Sequence, residues 1–224
     1  MFTFFKYQLE FLPLVAYFIA YVMALCVAMS FHEFAHAFIA TTQGDYTPKV
    51  LGRCTLAPHV HFDILGFISL MLLGFGWAKP VPVDPRNFKK GKKSNFLVEI
   101  AGITTNIILG SLFLFIMMLI SKFAPNFFVS SLYGTMVYMF LNLSVSLNFS
   151  LAFFNLLPIY PLDGFKIVEN FSKYDNKFVA FMKAYSNIIY IAIIVLGIFE
   201  YYFYYTAGQV INLLIKLFSL ILGV

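Results

Sequence analysis

The chain has 224 residues, a length that suits one domain, and it is 61% apolar and 20% aromatic with only 11% charged side chains. A soluble domain carries about 25% charged residues, so a water-facing globule is excluded and much of this surface must face lipid. The formal charge of +5 matters less than where the lysines fall, because their placement orients a membrane protein.

The first ten residues carry one basic group, Lys6, and lead into an apolar run, as a secretory leader would. Phe11 to Phe31, however, holds no charge, and the helical pattern continues through Thr42. That is about 30 residues, or ~45 Å, longer than a leader's apolar core and longer than a ~30 Å bilayer interior. The expectation is an uncleaved span that tilts or protrudes.

The last third of this helix reads Phe31-His32-Glu33-Phe34-Ala35-His36, an H-E-x-x-H pattern. Four residues apart on a helix, His32 and His36 share one face and can reach one metal ion, with Glu33 beside them as a general base for water. Three ionisable groups so close to a bilayer interior are costly unless they have a function. Cys26, within the same helix, and Cys54 read as free thiols. No C-x-x-C is present, so a thiolate zinc site is not expected.

Asp45 to Asp63 is a polar connection with Lys49, Arg53, His59 and His61; the two histidines suit supports behind metal ligands, a gate over the cavity or, foremost, ordinary interfacial residues. Ile64 to Trp77 is apolar but short, with Gly66, Gly74 and Gly76, and suits a re-entrant or interfacial segment. Basic residues on both sides of it, Lys49 and Arg53 before and Lys79 to Lys93 after, place both flanks in the cytosol. Lys79-Pro80-Val81-Pro82-Val83-Asp84-Pro85 cannot be helical and reads as an extended edge element. Lys89 to Lys93 is a solvated basic loop that meets lipid headgroups. Without a soluble basic surface around it, nucleic-acid binding is not expected.

Phe96 to Ile120 is a second span, with Glu99, Gly102, Thr104, Thr105, Asn106 and Gly110 along it. Such small and polar residues mark close helix packing, and Asn106 suits either packing or a site role, as donor to a developing oxyanion. Leu132 to Leu157 is a third span carrying Asn142, Asn148 and Asn155. It ends in Asn155-Leu-Leu-Pro158-Ile-Tyr-Pro161-Leu-Asp163-Gly164, where the prolines interrupt the helix and deliver Asp163 on a constrained turn. Lys166, Lys173, Lys177 and Lys183 follow on the cytosolic side. Tyr185 to Tyr205 and Ala207 to Val224 are two further apolar stretches rich in aromatic residues.

The predicted fold is therefore an all-α polytopic membrane protein: about five transmembrane helices, a re-entrant or short hairpin segment and a small extended edge element. Residues 1–224 form a single membrane-embedded domain, with a core over 11–171 and two accessory helices over 183–224. A catalytic zinc takes three protein ligands and keeps one open position. His32 and His36 supply two; Asp163 is the foremost candidate for the third, ahead of His59, His61, Asp63, Glu99 and Glu169. Such a site, with Glu33 as general base, would hydrolyse a peptide bond. The substrate would be a neighbouring transmembrane segment, unwound and held against Lys79 to Asp84 as an added strand, with Asn155 capping its backbone. Two competing classes are a transporter with an ion pathway and a catalytically silent membrane binding protein.

The chain resembles the site-2 protease family of intramembrane zinc metalloproteases through three motifs in order. These are His32-Glu33-Phe34-Ala35-His36, Ala101-Gly102-Ile103-Thr104-Thr105-Asn106, and Asn155 through Gly164. Ile103 stands where the family usually has Pro, and Phe165 where a second Gly is frequent. The resemblance implies one zinc per chain on His32, His36 and Asp163, Glu33 as the catalytic residue, and substrate contacts from Asn106, Asn155 and Pro161. It further implies a compact prokaryotic branch without PDZ or CBS domains, in the cytoplasmic membrane with the site open to the cytosol. The substrates implied are membrane-embedded regulators or signal-peptide remnants.

Overall fold

A computed structural model describes residues 11–73 and 76–223. The first ten residues, read above as the lead-in to an uncleaved span, and residues 74–75, including Gly74, lie outside the described residues. In chain order the helices are α1 (Phe11–Gln43), α2 (Thr47–Val50), α3 (Pro58–His61), α4 (Ile64–Leu73), α5 (Lys92–Phe123), α6 (Phe127–Ser130), α7 (Leu132–Asn155), α8 (Asp163–Phe171), α9 (Lys177–Val195), α10 (Ile198–Tyr205) and α11 (Ala207–Leu222). No strand occurs among the described residues, and the protein is an all-α polytopic membrane protein.

Helices α1, α5 and α7 pack on one another and form the core. On α1, Ala16, Ala20, Ala24 and Ala28 recur every fourth residue and are buried; the series continues through His32, His36 and Ala40, buried as well. A four-residue repeat keeps one helix face, and alanines on it let neighbouring backbones approach closely. Ala20 and Ala24 pack against Leu143 of α7. The two histidines thus sit on the face that α1 turns toward its partners. A second cluster, Leu114, Val145, Phe149 and Ala207, ties α5 and α7 to α11.

Among the described residues four stretches are long and apolar enough to cross a membrane: Pro13–Gln43, Lys92–Phe123, Leu132–Asn155 and Ile198–Leu222. The last joins α10 and α11, where the sequence reading has two separate helices over Tyr185 to Tyr205 and Ala207 to Val224. The expected Tyr185 to Tyr205 helix is divided at Gly197, whose φ of +63° only glycine adopts without strain. At ten residues, or ~15 Å, α4 is too short to span a bilayer.

Residues 76–84 run past Glu33 of α1 as an irregular extended strap, which ends in a 3-10 turn at Pro85–Asn87, where the sequence reading had Pro85 extended. Among the described residues its strand-like pairing is one antiparallel bridge, Phe62 to Ala78, with a bond from Lys79 N–H to His61 O at 2.8 Å. The buried Arg53 guanidinium donates to the Lys79 and Pro80 carbonyls. The far end is tied down by Asp45, fully buried, which accepts from Thr47 N–H, Thr47 Oγ1, Asn87 Nδ2 and Asp84 N–H at 2.6–3.1 Å. His61 is fully buried within this network, its Nε2 2.8 Å from Thr55 O. It is therefore not the interfacial side chain expected, whereas His59 is exposed.

Candidate metal centre

His32 and His36 lie one turn apart on α1, and Asp163 opens α8. His32 Nε2 is 3.1 Å from His36 Nε2, and Asp163 Oδ2 is 3.2 Å and 3.1 Å from those two nitrogens. Among the described residues this is the one grouping of three or more His, Cys, Asp or Glu whose ligand atoms converge. The other candidates for a third ligand, His59, His61, Asp63, Glu99 and Glu169, are not part of it.

The hydrogen bonds on the far side of each ring set the chemistry of the near side. His36 Nδ1 is 2.7 Å from Val98 O, which can only accept, so that nitrogen carries the hydrogen. Asn106 Nδ2 donates to Ala28 O at 3.0 Å, which makes Asn106 Oδ1 the acceptor for His32 Nδ1–H at 2.6 Å. In each neutral ring Nε2 then presents a lone pair. Asp163 Oδ2 is buried and accepts no hydrogen bond. With both rings neutral, three buried acceptors converge with no hydrogen between them, an arrangement that repels itself and that a cation at its centre relieves. Tetrahedral zinc with bonds of about 2.0–2.2 Å places its ligand atoms roughly 3.3 Å apart. The observed separations fit, and three protein ligands leave a fourth position open.

Gly102 explains how α5 comes so near. A Cβ there would lie 2.5 Å from both His32 Cε1 and His36 Nε2, so any larger residue would displace the rings. The turn before α8 is equally tight at Gly164, where a Cβ would be 2.3 Å from Leu156 O. That close return of the chain, after Pro158 and Pro161, carries Asp163 back to α1.

A cavity of about 490 Å³ opens on the cluster. Glu33, Asn155, Pro161 and Lys166 line it along with the three cluster residues, and Trp77, Val81, Phe154 and Tyr190 supply much of its apolar wall. Glu33 Oε2 accepts from the strap's Val81 N–H at 3.2 Å. Of the residues expected to contact substrate, Asn155 and Pro161 border the cavity. Asn106 does not: it is fully buried, and its two amide hydrogens are taken by Ala28 O and Asn148 Oδ1.

Lys166 escaped the sequence reading, which counted it among the cytosolic lysines. Its Nζ lies 3.1 Å from Asp163 Oδ1 and 3.2 Å from Glu99 Oε2. Desolvation lowers its pKa, but the two carboxylates more than offset this and raise it above the ordinary lysine range. The signal available in the sequence was its spacing, three residues after Asp163 and so on the same face of a helix. Asn148, Val98 and the Val81 N–H were also missed; nothing in a local pattern shows which backbone group meets a side chain from another helix.

Comparison with known proteins follows the same lines. The family model described as Peptidase family M50 matches residues 128–197, which include the Asn155 to Gly164 motif. A Bacillus subtilis (strain 168) protein named "Putative zinc metalloprotease YwhC" is 40% identical over 149 residues, 66% of this chain and 67% of that protein. A Methanocaldococcus jannaschii protein named "Putative zinc metalloprotease MJ0611" is 30% identical over 152 residues, 68% of this chain and 70% of that one. No solved structure matches the chain significantly.

Proposed function

The chain belongs to Peptidase family M50 as a membrane zinc metalloprotease, and from that premise we propose that it is an endopeptidase cutting peptide bonds in or near transmembrane segments of other membrane proteins. The observation that carries this reading is the convergence of three unshared acceptor atoms, His32 Nε2, His36 Nε2 and Asp163 Oδ2, beside Glu33 in one cavity.

His32, His36 and Asp163 hold one zinc ion. Bound there, zinc supplies Lewis acidity that polarises the scissile carbonyl and makes water easier to deprotonate. Glu33 takes the proton from the attacking water and later gives it to the leaving amine. Since its Oε2 accepts from Val81 N–H, the strap also holds this carboxylate in place. Asn106 acts on His32, not on substrate: its Oδ1 keeps the hydrogen on Nδ1 and the lone pair on Nε2. Asn155 and Pro161 border the space an unwound peptide would occupy, and the apolar wall from Trp77 to Tyr190 suits side chains drawn from a membrane helix. The lysines at 79–93 and 166–183 support a cavity that opens to the cytosol, and the membrane on this reading is a prokaryotic cytoplasmic one. On this reading the chain is one membrane-embedded domain, with the site in residues 11–171 and α9, α10 and α11 as accessory helices beyond it, where the sequence reading has two.

The test uses purified protein and a transmembrane peptide in detergent micelles. Wild type should cut the peptide and lose activity to a chelator. E33Q should retain zinc and cut at least about 100-fold more slowly, the scale of a lost general base. Cleavage undiminished in E33Q refutes the assignment of the base. Zinc uptake without cleavage in wild type would place the chain among silent binding proteins.

A further inference from the structure

Glu99 is a carboxylate buried at 7% exposure on a membrane-spanning helix, one turn before Gly102 and next to the carbonyl that holds His36. A charge in such a position is costly without a partner and marks a functional place. The zinc ligands proposed above do not include it, and its partner is Lys166.

Lys166 does more than neutralise Glu99. Its ammonium also holds Asp163 Oδ1, on the side of the carboxylate away from the histidines. The two oxygens of an aspartate are chemically equivalent, and the group turns readily about its last bond. Unrestrained, it can offer both oxygens to a metal and fill the open position that hydrolysis needs, or swing away. With Oδ1 bound to an ammonium, Oδ2 alone faces the histidine nitrogens. Lys166 is fixed in turn from two sides: by its place one turn along α8 and by Glu99 from α5. A lysine serving only to neutralise Glu99 would have no need to reach Asp163.

We propose that Lys166, held by Glu99, is a positioning residue that makes Asp163 a one-oxygen ligand and so keeps the fourth metal position free. The proposal rests on reading His32, His36 and Asp163 as zinc ligands.

Two measurements on the purified full-length protein test it: zinc affinity by competition with a chromogenic chelator, and the visible absorption of the cobalt-substituted protein, which reports coordination number. K166M should weaken zinc binding by about 10- to 100-fold, the usual scale for a group that orients a ligand. It should also weaken the cobalt bands, as extra coordination does. K166R, which keeps the charge and the reach, should restore much of both. E99Q, nearly identical in shape, should move both readings in the K166M direction, and the double variant should be no weaker than K166M alone. E99Q also stands as an independent arm should K166M fold poorly. Wild-type affinity and an unchanged cobalt spectrum in K166M and E99Q overturn the proposal. A wild type that takes up no zinc would instead refute the metal reading beneath it.

Discussion

At the scale of single residues, the far side of each histidine ring is occupied, by Asn106 Oδ1 for His32 and by Val98 O for His36. Asn106 shows what that support is worth. Its amide satisfies His32 Nδ1–H, Ala28 O and Asn148 Oδ1 at once, in a fully buried position. N106A leaves His32 Nδ1–H and Asn148 Oδ1 unpaired, so it should cost about 1–3 kcal/mol of stability. Losing the ring's orientation should also weaken zinc about 10-fold or more. Thermal unfolding with and without added zinc separates the two losses: the zinc-dependent rise in Tm should shrink in N106A. An unchanged rise would mean that Asn106 only packs. Whether an amide on a spanning helix faces a cavity or a neighbouring ring depends on the rotation of the helix, and one residue turns a helix by about 100°. The order of residues does not contain that angle, which is why Asn106 was read both ways.

At the scale of elements, the site is a meeting of three pieces: the inward stripe of α1, the close approach of α5, and the turn that begins α8. Gly102 is the contact between the first two. G102A would push a methyl group to within 2.5 Å of both rings. The backbone of α5 or the rings must then move. The expected result is a loss of about 1–3 kcal/mol in stability, as for other overpacked cores, and zinc affinity at least tenfold lower, measured by chelator competition. Zinc binding as tight as wild type would show that α1 and α5 can part freely, against the close packing described. The short α4 and the irregular strap follow from composition, since ten residues cannot cross a bilayer and alternating prolines cannot join a helix. The division between α9 and α10 does not follow so simply. Gly197 lies within a continuous apolar run, and apolarity alone does not tell a helical glycine from a left-handed one.

At the scale of the whole molecule, the core helices and the strap are tied together by Asp45, just beyond α1. Burial raises the pKa of this carboxyl, but hydrogen bonds from Thr47, Asn87 and Asp84 outweigh burial and hold it below the ordinary value of 3.8. A group with a lowered folded-state pKa stabilises the fold above its unfolded value, and that contribution fades as pH falls through the folded one. Stability should therefore drop in strong acid as the strap loses its tie. D45N should remove about 1–3 kcal/mol at neutral pH, and its stability should depend less on pH below 3.8 than that of wild type. Thermal unfolding across the acid range checks both, and equal acid sensitivity in D45N and wild type would exclude Asp45 as the titrating tie.

The membrane class, the long first helix and the H-E-x-x-H pair were settled by local order alone, because hydropathy and a four-residue spacing act within one stretch of chain. The likeness to a protease family was legible for the same reason, since its motifs are short and stand in order. Only tertiary structure decided that Asp163, 127 residues beyond His36 in the numbering, completes the cluster. It also placed Asn106 behind a ring and joined Lys166 to Glu99. These are distances between helices, set by how buried faces pack and by how tightly the backbone turns at Gly164, and no periodicity along the chain encodes them.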